Sequence, residues 1–398
     1  MDEGTAGVGA RLQEIRAWRG LSLRAAAGLA GYSASYLSMI ENGDRVVDKR
    51  STLENLAAAL QVSPADITGQ PYPPANRSES QGHSAAPALR GVLRDIELGK
   101  LATPGRPRSL VELRAAVAAV NTACAACDYS VMGEVVPDLI GELHPLAEAN
   151  GGEAWRLLAE VLHSAFYLSK DLGHGDLAWM VSGHLHRAVE ATGDPVWGGL
   201  GAFVRAHAVV GSQARQRGLT LAEDGAERVH ADDAEAGQVH GMLHLSAALQ
   251  SAVLGQSELA RSHVAAASET AARTGDGTFA GLQFGPRNVG VWRVALALEL
   301  GEPGRVAELA REVEVAAIPS AGRQASFYAD VGRGLATERS TRGRAVEALR
   351  RAEQLAPQRT RTNPYVRETV TDLMRRVPRD SGAGRALRGM AYRMGISA

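Results

Sequence analysis

Apolar and polar residues alternate with the period of an α-helix along most of this 398-residue chain. From Val8 to Trp18, apolar side chains recur at spacings of three and four residues, which is one face of a helix. Residues 51–60 repeat this pattern. Between these segments, residues 22–43 contain two shorter helical patterns separated by a glycine. The N-terminal part of the chain is therefore predicted to be a cluster of short helices.

Capping residues define where these helices begin and end. Ser22 and Ser33 are positioned to cap two successive helices with their side-chain oxygens. Gly31 ends the first of the two, because glycine adopts a positive φ at little cost. A further helix is predicted at Ser63-Pro64, where a cap is followed by proline at the first helical position. The pattern thus predicts five short helices around a small core.

The helix that follows Ser33 has one apolar face and one face of small or polar residues. Leu37 and Ile40 point inward. The outward-facing residues are Ala34, Ser35, Ser38 and Met39. A helix pair of this kind can lay its second helix in the major groove of DNA.

Residues 8–70 resemble the helix-turn-helix domain of the Cro and phage-repressor type, the XRE family. The run Ser-Ala-Ser-Tyr-Leu-Ser-Met-Ile-Glu-Asn-Gly, from Ser33 to Gly43, is similar to the recognition helix of that family and the turn after it. Met39 departs from the family, which often has Arg or Lys at this position. The resemblance implies binding to double-stranded DNA.

The expected DNA contacts lie on this helix pair and on the segment after it. The side chains of Ser35, Tyr36 and Ser38 are expected in the groove, with Arg24 and Arg45 on phosphates. The full set is Arg24, Ser33, Ala34, Ser35, Tyr36, Ser38, Arg45, Lys49 and Arg50.

Charge limits how strongly one such domain can bind DNA. Residues 1–70 contain seven Arg or Lys and eight Asp or Glu, so the domain has no overall basic field. We therefore expect modest affinity for each domain. Specific binding would then need a homodimer on an inverted-repeat operator.

A change in composition separates this domain from the rest of the chain. Residues 71–87 contain four prolines and many small polar residues, which predicts a flexible linker. Residues 88–398 are predicted to form helix after helix, with almost no strand pattern.

Leu-Gly or an equivalent pair recurs along this second region. It occurs at Gly173, Gly255 and Gly301, near Gly218 and more loosely near Ser340, with a mean spacing of about 42 residues. This pattern resembles degenerate tetratricopeptide repeats, and many actinobacterial regulators join an XRE domain to such a region. The predicted fold is all-α: a five-helix helix-turn-helix domain, a flexible linker and a tetratricopeptide-like α-solenoid that senses a ligand and dimerises.

Repeats of this type stack into a superhelix whose concave face is contributed by the first helix of each pair. Four of the five tryptophans and all five phenylalanines of the chain lie in this region. Aromatic, histidine and polar residues on the first helices predict an effector pocket, although such aromatics can also serve packing alone. The candidate residues are His163, Tyr167, Arg205, His240, His244, Phe284, Arg287, Asn288 and Trp292.

Two classes of effector are compatible with this face. A peptide groove needs regularly spaced asparagines and arginines that hold a backbone. This chain has few asparagines, and of these only Asn288 and Asn363 fall at suitable positions. Aromatic residues are better represented, which favours a small-molecule signal or metabolite. A signalling peptide or partner protein is the alternative.

Several other functions lack a sequence signal. His240 and His244 are one helical turn apart, but no glutamate follows His240, so the zinc motif His-Glu-x-x-His is not present. Cys124 and Cys127 lie in an alanine-rich helix and are expected to pack. The chain has no phosphate-binding loop or nucleophile elbow. We therefore expect no catalytic activity, cofactor or metal.

The location of the protein is also constrained. The N-terminal residues Met-Asp-Glu-Gly are acidic and precede no apolar segment of the signal-peptide type. No apolar run approaches the length of about 18 residues that a membrane span requires. With two cysteines and no disulfide framework, we expect a cytoplasmic protein without a membrane partner.

Overall fold

The computed structural model describes residues 7–101, 108–211 and 214–396. These residues form helices throughout, apart from one two-stranded hairpin, which confirms the all-α prediction. Five helices make up the N-terminal domain, as predicted. They are α1 (Val8–Trp18), α2 (Leu23–Leu29), α3 (Ala34–Glu41), α4 (Arg50–Leu60) and α5 (Pro64–Thr68).

The predicted caps set the turn between α2 and α3. The Ser22 hydroxyl accepts a hydrogen bond from the Ala25 amide at 3.2 Å, and the Ser33 hydroxyl accepts one from the Tyr36 amide at 3.1 Å. Gly31 has a φ of 77°, the left-handed conformation that the turn requires. Helix α3 therefore begins where the sequence predicts.

A buried ion pair fixes α3 against α1. The Arg16 guanidinium donates to both carboxylate oxygens of Glu41, each at 2.7 Å. Leu12, Leu37 and Ile40 are buried beneath this pair. Both a charge pair and apolar packing thus hold α3 in position, with its small polar residues outward.

The remaining helices form two rows. The inner row is α7 (Leu110–Ala126), α9 (Gly152–Asp171), α11 (Pro195–Ala208), α13 (Ala234–Val253), α15 (Pro286–Glu299) and α17 (Ala321–Ala336). The outer row is α6 (Arg77–Glu97), α8 (Tyr129–Asn150), α10 (Gly175–Glu190), α12 (Arg215–Arg228), α14 (Ser257–Thr274), α16 (Val306–Arg311) and α18 (Arg342–Leu355). The chain ends with α19 (Pro357–Arg361), α20 (Pro364–Arg376) and α21 (Gly382–Arg393).

The inner row curves back on itself. Successive inner helices contact one another, and α17 also contacts α7. At that closure, the Ser320 hydroxyl donates to the Ala125 carbonyl at 3.3 Å. Side chains from α9, α11, α15 and α17 consequently face a common interior.

Glycines end several repeats as predicted, with one exception. Gly173, Gly255 and Gly301 have φ values of 84°, 78° and 79° directly after helices of the inner row. The marker near Gly218 is wrong, because this glycine lies inside α12 and packs against Gln250.

A hairpin occupies residues for which the sequence predicts helix. Strand β1 (Gly277–Phe279) pairs antiparallel with β2 (Leu282–Phe284), and helix α15 begins only after it, at Pro286. The turn uses a left-handed φ at Ala280 (47°) and Gly281 (83°). Phe279 and Phe284 are buried, so the hairpin fills one end of the interior.

The flexible linker predicted over residues 71–87 is also corrected. Helix α6 begins at Arg77, with Asn76 as its cap, and buries Ala85 and Ala86 against α8. Before it, Tyr72 is buried beneath the Arg367 guanidinium, 3.8 Å from the ring centroid. Tertiary burial thus overrides a composition rich in proline and polar residues.

Within the described ranges, no helix combines the length and apolar character needed to cross a bilayer.

Candidate DNA-reading helix and inner-face cluster

The outward face of α3 is accessible. Ser35 is exposed and Met39 has 37% of its surface exposed. Ala34 and Ser38 are half-buried, and Ser38 accepts a long hydrogen bond from Asn42 at 3.4 Å. Ser33 is exposed but its hydroxyl is used as the cap of α3. The predicted groove-facing residues therefore lie together on one surface.

Tyr36 and Arg45 form one stacked unit at the edge of that surface. The Tyr36 ring stacks on Tyr32 at 4.8 Å, and the Arg45 guanidinium lies 4.7 Å above the Tyr36 ring. Burial raises the pKa of the Tyr36 hydroxyl, so it remains a neutral donor. Arg45 and Arg24 are exposed, as phosphate contacts require.

Lys49 and Arg50, two of the predicted phosphate contacts, lie against the helical-repeat region. The Arg50 guanidinium pairs with Glu299 at the end of α15, and the Arg50 amide donates to Glu299 at 3.1 Å. Although burial opposes its charge, Glu299 keeps the pKa of Arg50 above its ordinary value. The Lys49 ammonium packs against Gly301. Arg50 is thus engaged within the chain in this arrangement.

A second ion pair docks α4 on the repeats. Glu54 and Arg215 have side chains that are only 3% and 6% exposed, with Arg215 Nε 2.9 Å from Glu54 Oε2. Arg215 also donates to Gln250 on α13 at 2.8 Å. Nearby, Arg333 donates to the Asp48 carbonyl at 2.6 Å. The start of α4 and the segment before it thus contact α12, α15 and α17.

We call six side chains that face the interior the inner-face cluster: His163, Tyr167, Lys170, His207, Trp292 and Arg323. His163 and Tyr167 form its first pair on α9, with ring centroids 5.1 Å apart. His163 Nδ1 bonds to the Ala280 carbonyl of the hairpin at 2.9 Å. Burial lowers the pKa of His163 to about 4 and raises that of Tyr167 to about 12. Both groups are therefore neutral at pH 7.

Lys170 lies one turn after Tyr167 on α9. Its ammonium is 5.6 Å from the Tyr167 ring centroid and 3.2 Å from Asp171 Oδ1. Asp171 also pairs with Arg359 and accepts from the Tyr129 hydroxyl at 2.7 Å. Although burial opposes its charge, these cations keep the pKa of Asp171 below its ordinary value.

His207, Trp292 and Arg323 form the other side of the cluster. The rings of His207 and Trp292 are 5.7 Å apart, and the Arg323 guanidinium lies 5.5 Å from the Trp292 ring centroid. Burial, followed by the charges of Lys170 and other cations, lowers the pKa of His207 far below its ordinary value.

Asn288 is buried beside this cluster, and both the nitrogen and the oxygen of its side-chain amide form hydrogen bonds. Its amide donates to the Gln283 carbonyl of the hairpin, and its oxygen accepts from Arg323 Nε at 2.9 Å. Asn363, the other asparagine considered for a peptide groove, caps α20 by accepting from the Tyr365 and Val366 amides.

Other predicted pocket residues lie elsewhere. Arg205 is on a separate surface groove of about 540 Å³ beside α6 and α10, with its guanidinium 5.5 Å from the Trp179 ring centroid. Arg287 is partly exposed and pairs with Asp276 and Glu314. Phe284 is buried against Gly241 as part of the core. These three side chains do not join the inner-face cluster.

His240 and His244 face α14 rather than the interior. His244 Nδ1 is 3.0 Å from His263 Nδ1, and His263 Nε2 is 3.3 Å from Glu223. Burial lowers the pKa of His244 to about 4. In the part of the chain that the structure describes, no set of three or more histidine, cysteine, aspartate or glutamate side chains is arranged to hold a metal ion.

The predicted pocket residues do not include three members of the cluster. His207 and Lys170 lie one to two turns from aromatic residues on the same helices, and this spacing was a usable signal. Arg323 is one of many arginines, and only the curvature of the inner row brings it to Trp292.

Comparisons with known proteins bear on part of the chain. Residues 8–68 match the family described as a helix-turn-helix domain, which confirms that prediction for the N-terminal domain. No curated protein matches the chain. Among solved structures, it is similar to the crystal structure of Bacillus thuringiensis PlcR in complex with the peptide PapR7 and DNA. The two are 16% identical with a TM-score of 0.33, over 73% of this chain and 98% of that one.

Proposed function

We propose that this protein is a sequence-specific DNA-binding transcriptional regulator without catalytic activity. Its helical-repeat region, of the tetratricopeptide type, binds a small-molecule signal or metabolite on the inner face. Binding there alters the affinity of the helix-turn-helix domain for its operator. We place the protein in the cytoplasm, where it meets both its DNA operator and its effector.

One observation supports this link between effector and DNA most directly. The start of α4 is docked on the repeats through Arg50–Glu299 and Glu54–Arg215, whereas Ser35 on α3 remains exposed. The charge of Arg50 also contributes to the low pKa of His207 in the inner-face cluster. Glu299 ends α15, the helix that also carries Trp292 of the inner-face cluster, so a ligand on this cluster would contact the helix on which Arg50 is docked.

The asparagines support a small molecule over a peptide. Asn288 and Asn363 already hold protein groups with their amides, so neither is available to hold a peptide backbone without losing these bonds. The inner face instead presents aromatic rings and cations.

We further propose that the protein binds as a homodimer on an inverted repeat. Ser35 and Ser38 offer few base contacts, so one domain supplies little specificity. Two domains related by two-fold symmetry would double the contacts and match a palindromic operator.

Selection of bound sequences from random duplex DNA tests this function. We expect the full chain to enrich an inverted repeat, with two chains per duplex by mass photometry. Ser35→Ala combined with Ser38→Ala should abolish the sequence preference and leave the fold intact, because both serines lie on the accessible face of α3.

Arg45→Ala is the matched control for non-specific contacts. It should weaken binding to all sequences about equally and reduce the salt slope by about one, because a phosphate contact carries no sequence information. Enrichment of no motif by the full chain, or the same motif from the double serine variant, would contradict the assignment.

A further inference from the structure

We propose that the effector is an anion: its negatively charged group binds between Arg323 and Lys170 and accepts a hydrogen bond from the Trp292 indole. This inference rests on the proposed effector site and names the chemistry of the ligand. Three independent features of the inner-face cluster support it.

The first feature is an excess of positive charge. Lys170, Arg323 and Arg359 bring three cations to the interior, and Asp171 pairs with both Lys170 and Arg359. Among the described residues, no carboxylate lies within ion-pair distance of Arg323, whose Nε donates to the neutral amide oxygen of Asn288. Two positive charges therefore remain uncompensated.

Neighbouring charges do not remove this excess. Glu299 neutralises Arg50, and Glu54 neutralises Arg215. Asp330, whose charge influences Arg323, is paired with Arg333 at 2.7 Å. Burial, followed by the charge of Arg359, lowers the pKa of Arg323 to about 10. Arg323 is half-buried and has no counter-charge, so an anion bound there would be attracted.

The second feature is an unused donor. Trp292 is only 6% exposed, and its Nε1 has no hydrogen-bond partner in the described parts of the chain. An indole N–H can only donate. Arg323 lies over the same ring, so an oxygen of the anion can accept from Trp292 and contact Arg323 together.

The third feature is an unused acceptor at a defined distance. His163 is 3% exposed, and its Nδ1 must donate to the Ala280 carbonyl, so its Nε2 is an acceptor that no described group reaches. His163 and Lys170 are seven residues apart on α9, a helical rise of about 10 Å. The ring of Tyr167 lies between them.

The ligand chemistry follows from this order of groups. An anionic head would lie at Arg323, Lys170 and Trp292, an apolar body against Tyr167, and a hydroxyl or amide donor at His163. The structure thus points to an amphipathic acid with a donor about 10 Å from its charge.

Three probes of equal chain length separate the contribution of the anionic group from that of the hydrogen-bond donor. ω-Hydroxyoctanoate has both the anion and the donor, octanoate has only the anion, and octanediol has no charge. Titration of the full chain without DNA, followed by the indole N–H resonance of Trp292, reports occupancy of this site. Trp292→Phe assigns that resonance.

We expect both carboxylates to shift the Trp292 resonance, with ω-hydroxyoctanoate binding more tightly than octanoate. Octanediol should bind at least about tenfold more weakly, which is the order expected when a charge-assisted hydrogen bond is lost. Equal binding of octanediol and octanoate, or no shift with any probe, would overturn the proposal.

Arg323→Gln is the decisive variant. The glutamine can keep the hydrogen bond to Asn288 while removing the charge, so carboxylate binding should fall at least about tenfold. The melting temperature of the free protein should rise, because an uncompensated and half-buried charge is gone. Arg293 lies on α15, as Trp292 does, and forms an exposed ion pair with Glu312. Arg293→Gln should therefore change neither carboxylate binding nor the melting temperature.

These results are independent of the proposed DNA recognition. Retained carboxylate binding by Arg323→Gln would refute the anion site even if the chain selects an operator. Conversely, a carboxylate response with no operator selected would preserve the anion site and refute the regulator.

Discussion

At the scale of single residues, burial determines the protonation of the inner face. His163 is 3% exposed and its pKa is lowered to about 4. The neutral ring donates through Nδ1 to the hairpin and leaves Nε2 as an acceptor. Protonation would place a positive charge in an interior that already contains an excess of cations.

This shift predicts a pH dependence of stability. The pKa of His163 is about 4 in the fold and near 6.5 in the unfolded chain, so the unfolded chain takes up the proton first as the pH falls. The contribution of His163 to the free energy of unfolding is fully present above about pH 6.5 and is lost between about pH 6.5 and 4. The loss amounts to about 3 kcal/mol. His163→Gln should therefore make the loss of unfolding free energy on acidification smaller by an amount of that order.

Urea unfolding from pH 7 to 4.5 measures this effect. His174, His184 and His244 have similarly lowered pKa values of about 4, so part of the pH dependence will remain in the variant. His230→Gln, at an exposed histidine, is the control and should leave the slope unchanged. If His163→Gln also leaves the slope unchanged, the ring is not held neutral by the fold.

At the scale of elements, the hairpin depends on one glycine of α13. A Cβ at Gly241 would lie 1.9 Å from Cζ of the Phe284 ring, which is 2% exposed. The absence of a side chain at Gly241 therefore lets β2 approach the helix. This contact positions Ala280, and with it His163.

Two glycine substitutions test this packing. Gly241→Ala should destabilise the protein by about 3 kcal/mol, because Phe284 must leave its position in a close-packed core. Gly183→Ala, in α10, should instead stabilise by about 0.5–1 kcal/mol, because no described atom lies within 4 Å of its added Cβ and alanine favours the helix. Chemical denaturation of both variants gives the comparison. Similar effects of the two substitutions would show that the hairpin is not packed as described.

Local signals in the sequence were sufficient for many elements and insufficient for two. Ser22, Ser33 and Ser63 cap their helices as predicted, because capping needs only neighbouring residues. The hairpin and the N-terminal half of α6 were missed because both depend on partners distant in sequence. Phe284 needs the gap at Gly241, and Ala85 needs the surface of α8.

The same distinction applies to the candidate sites. Spacing along a helix identified His163 and Tyr167, but it also selected Arg205. Arg205 is two residues from His207, so the two side chains are about 200° apart around α11 and point to different sides. Arg50 was assigned to DNA from its position after α3. Its partner, Glu299, is 249 residues away, and no local pattern predicts that pairing.

At the scale of the whole molecule, buried charges hold the N-terminal domain on the repeats. The Glu54–Arg215 pair is almost fully buried, and Arg50–Glu299 lies at the same contact. Such pairs contribute little net stability compared with apolar packing, but breaking one is costly because the remaining charge is unpaired. The docked orientation is therefore specific, and a change in local charge can release it.

Glu54→Gln tests whether this ion pair maintains docking. The substitution leaves Arg215 buried without a carboxylate, at a cost of about 3–5 kcal/mol, which should favour the undocked arrangement. Hydrogen exchange should then accelerate in both α4 and α12, and small-angle scattering should show a larger radius of gyration. Glu347→Gln, at an exposed pair with Arg350, should change neither measurement.

A second substitution separates undocking from simple misfolding of α4. Adding Arg215→Met to Glu54→Gln removes the unpaired charge, so slow exchange in α12 and the compact shape should be restored. Failure of this restoration, with α4 still exchanging rapidly, would mean that Glu54 serves the N-terminal domain itself. In that case the ion pair would not be the element through which charge on the inner face controls the DNA-reading helix.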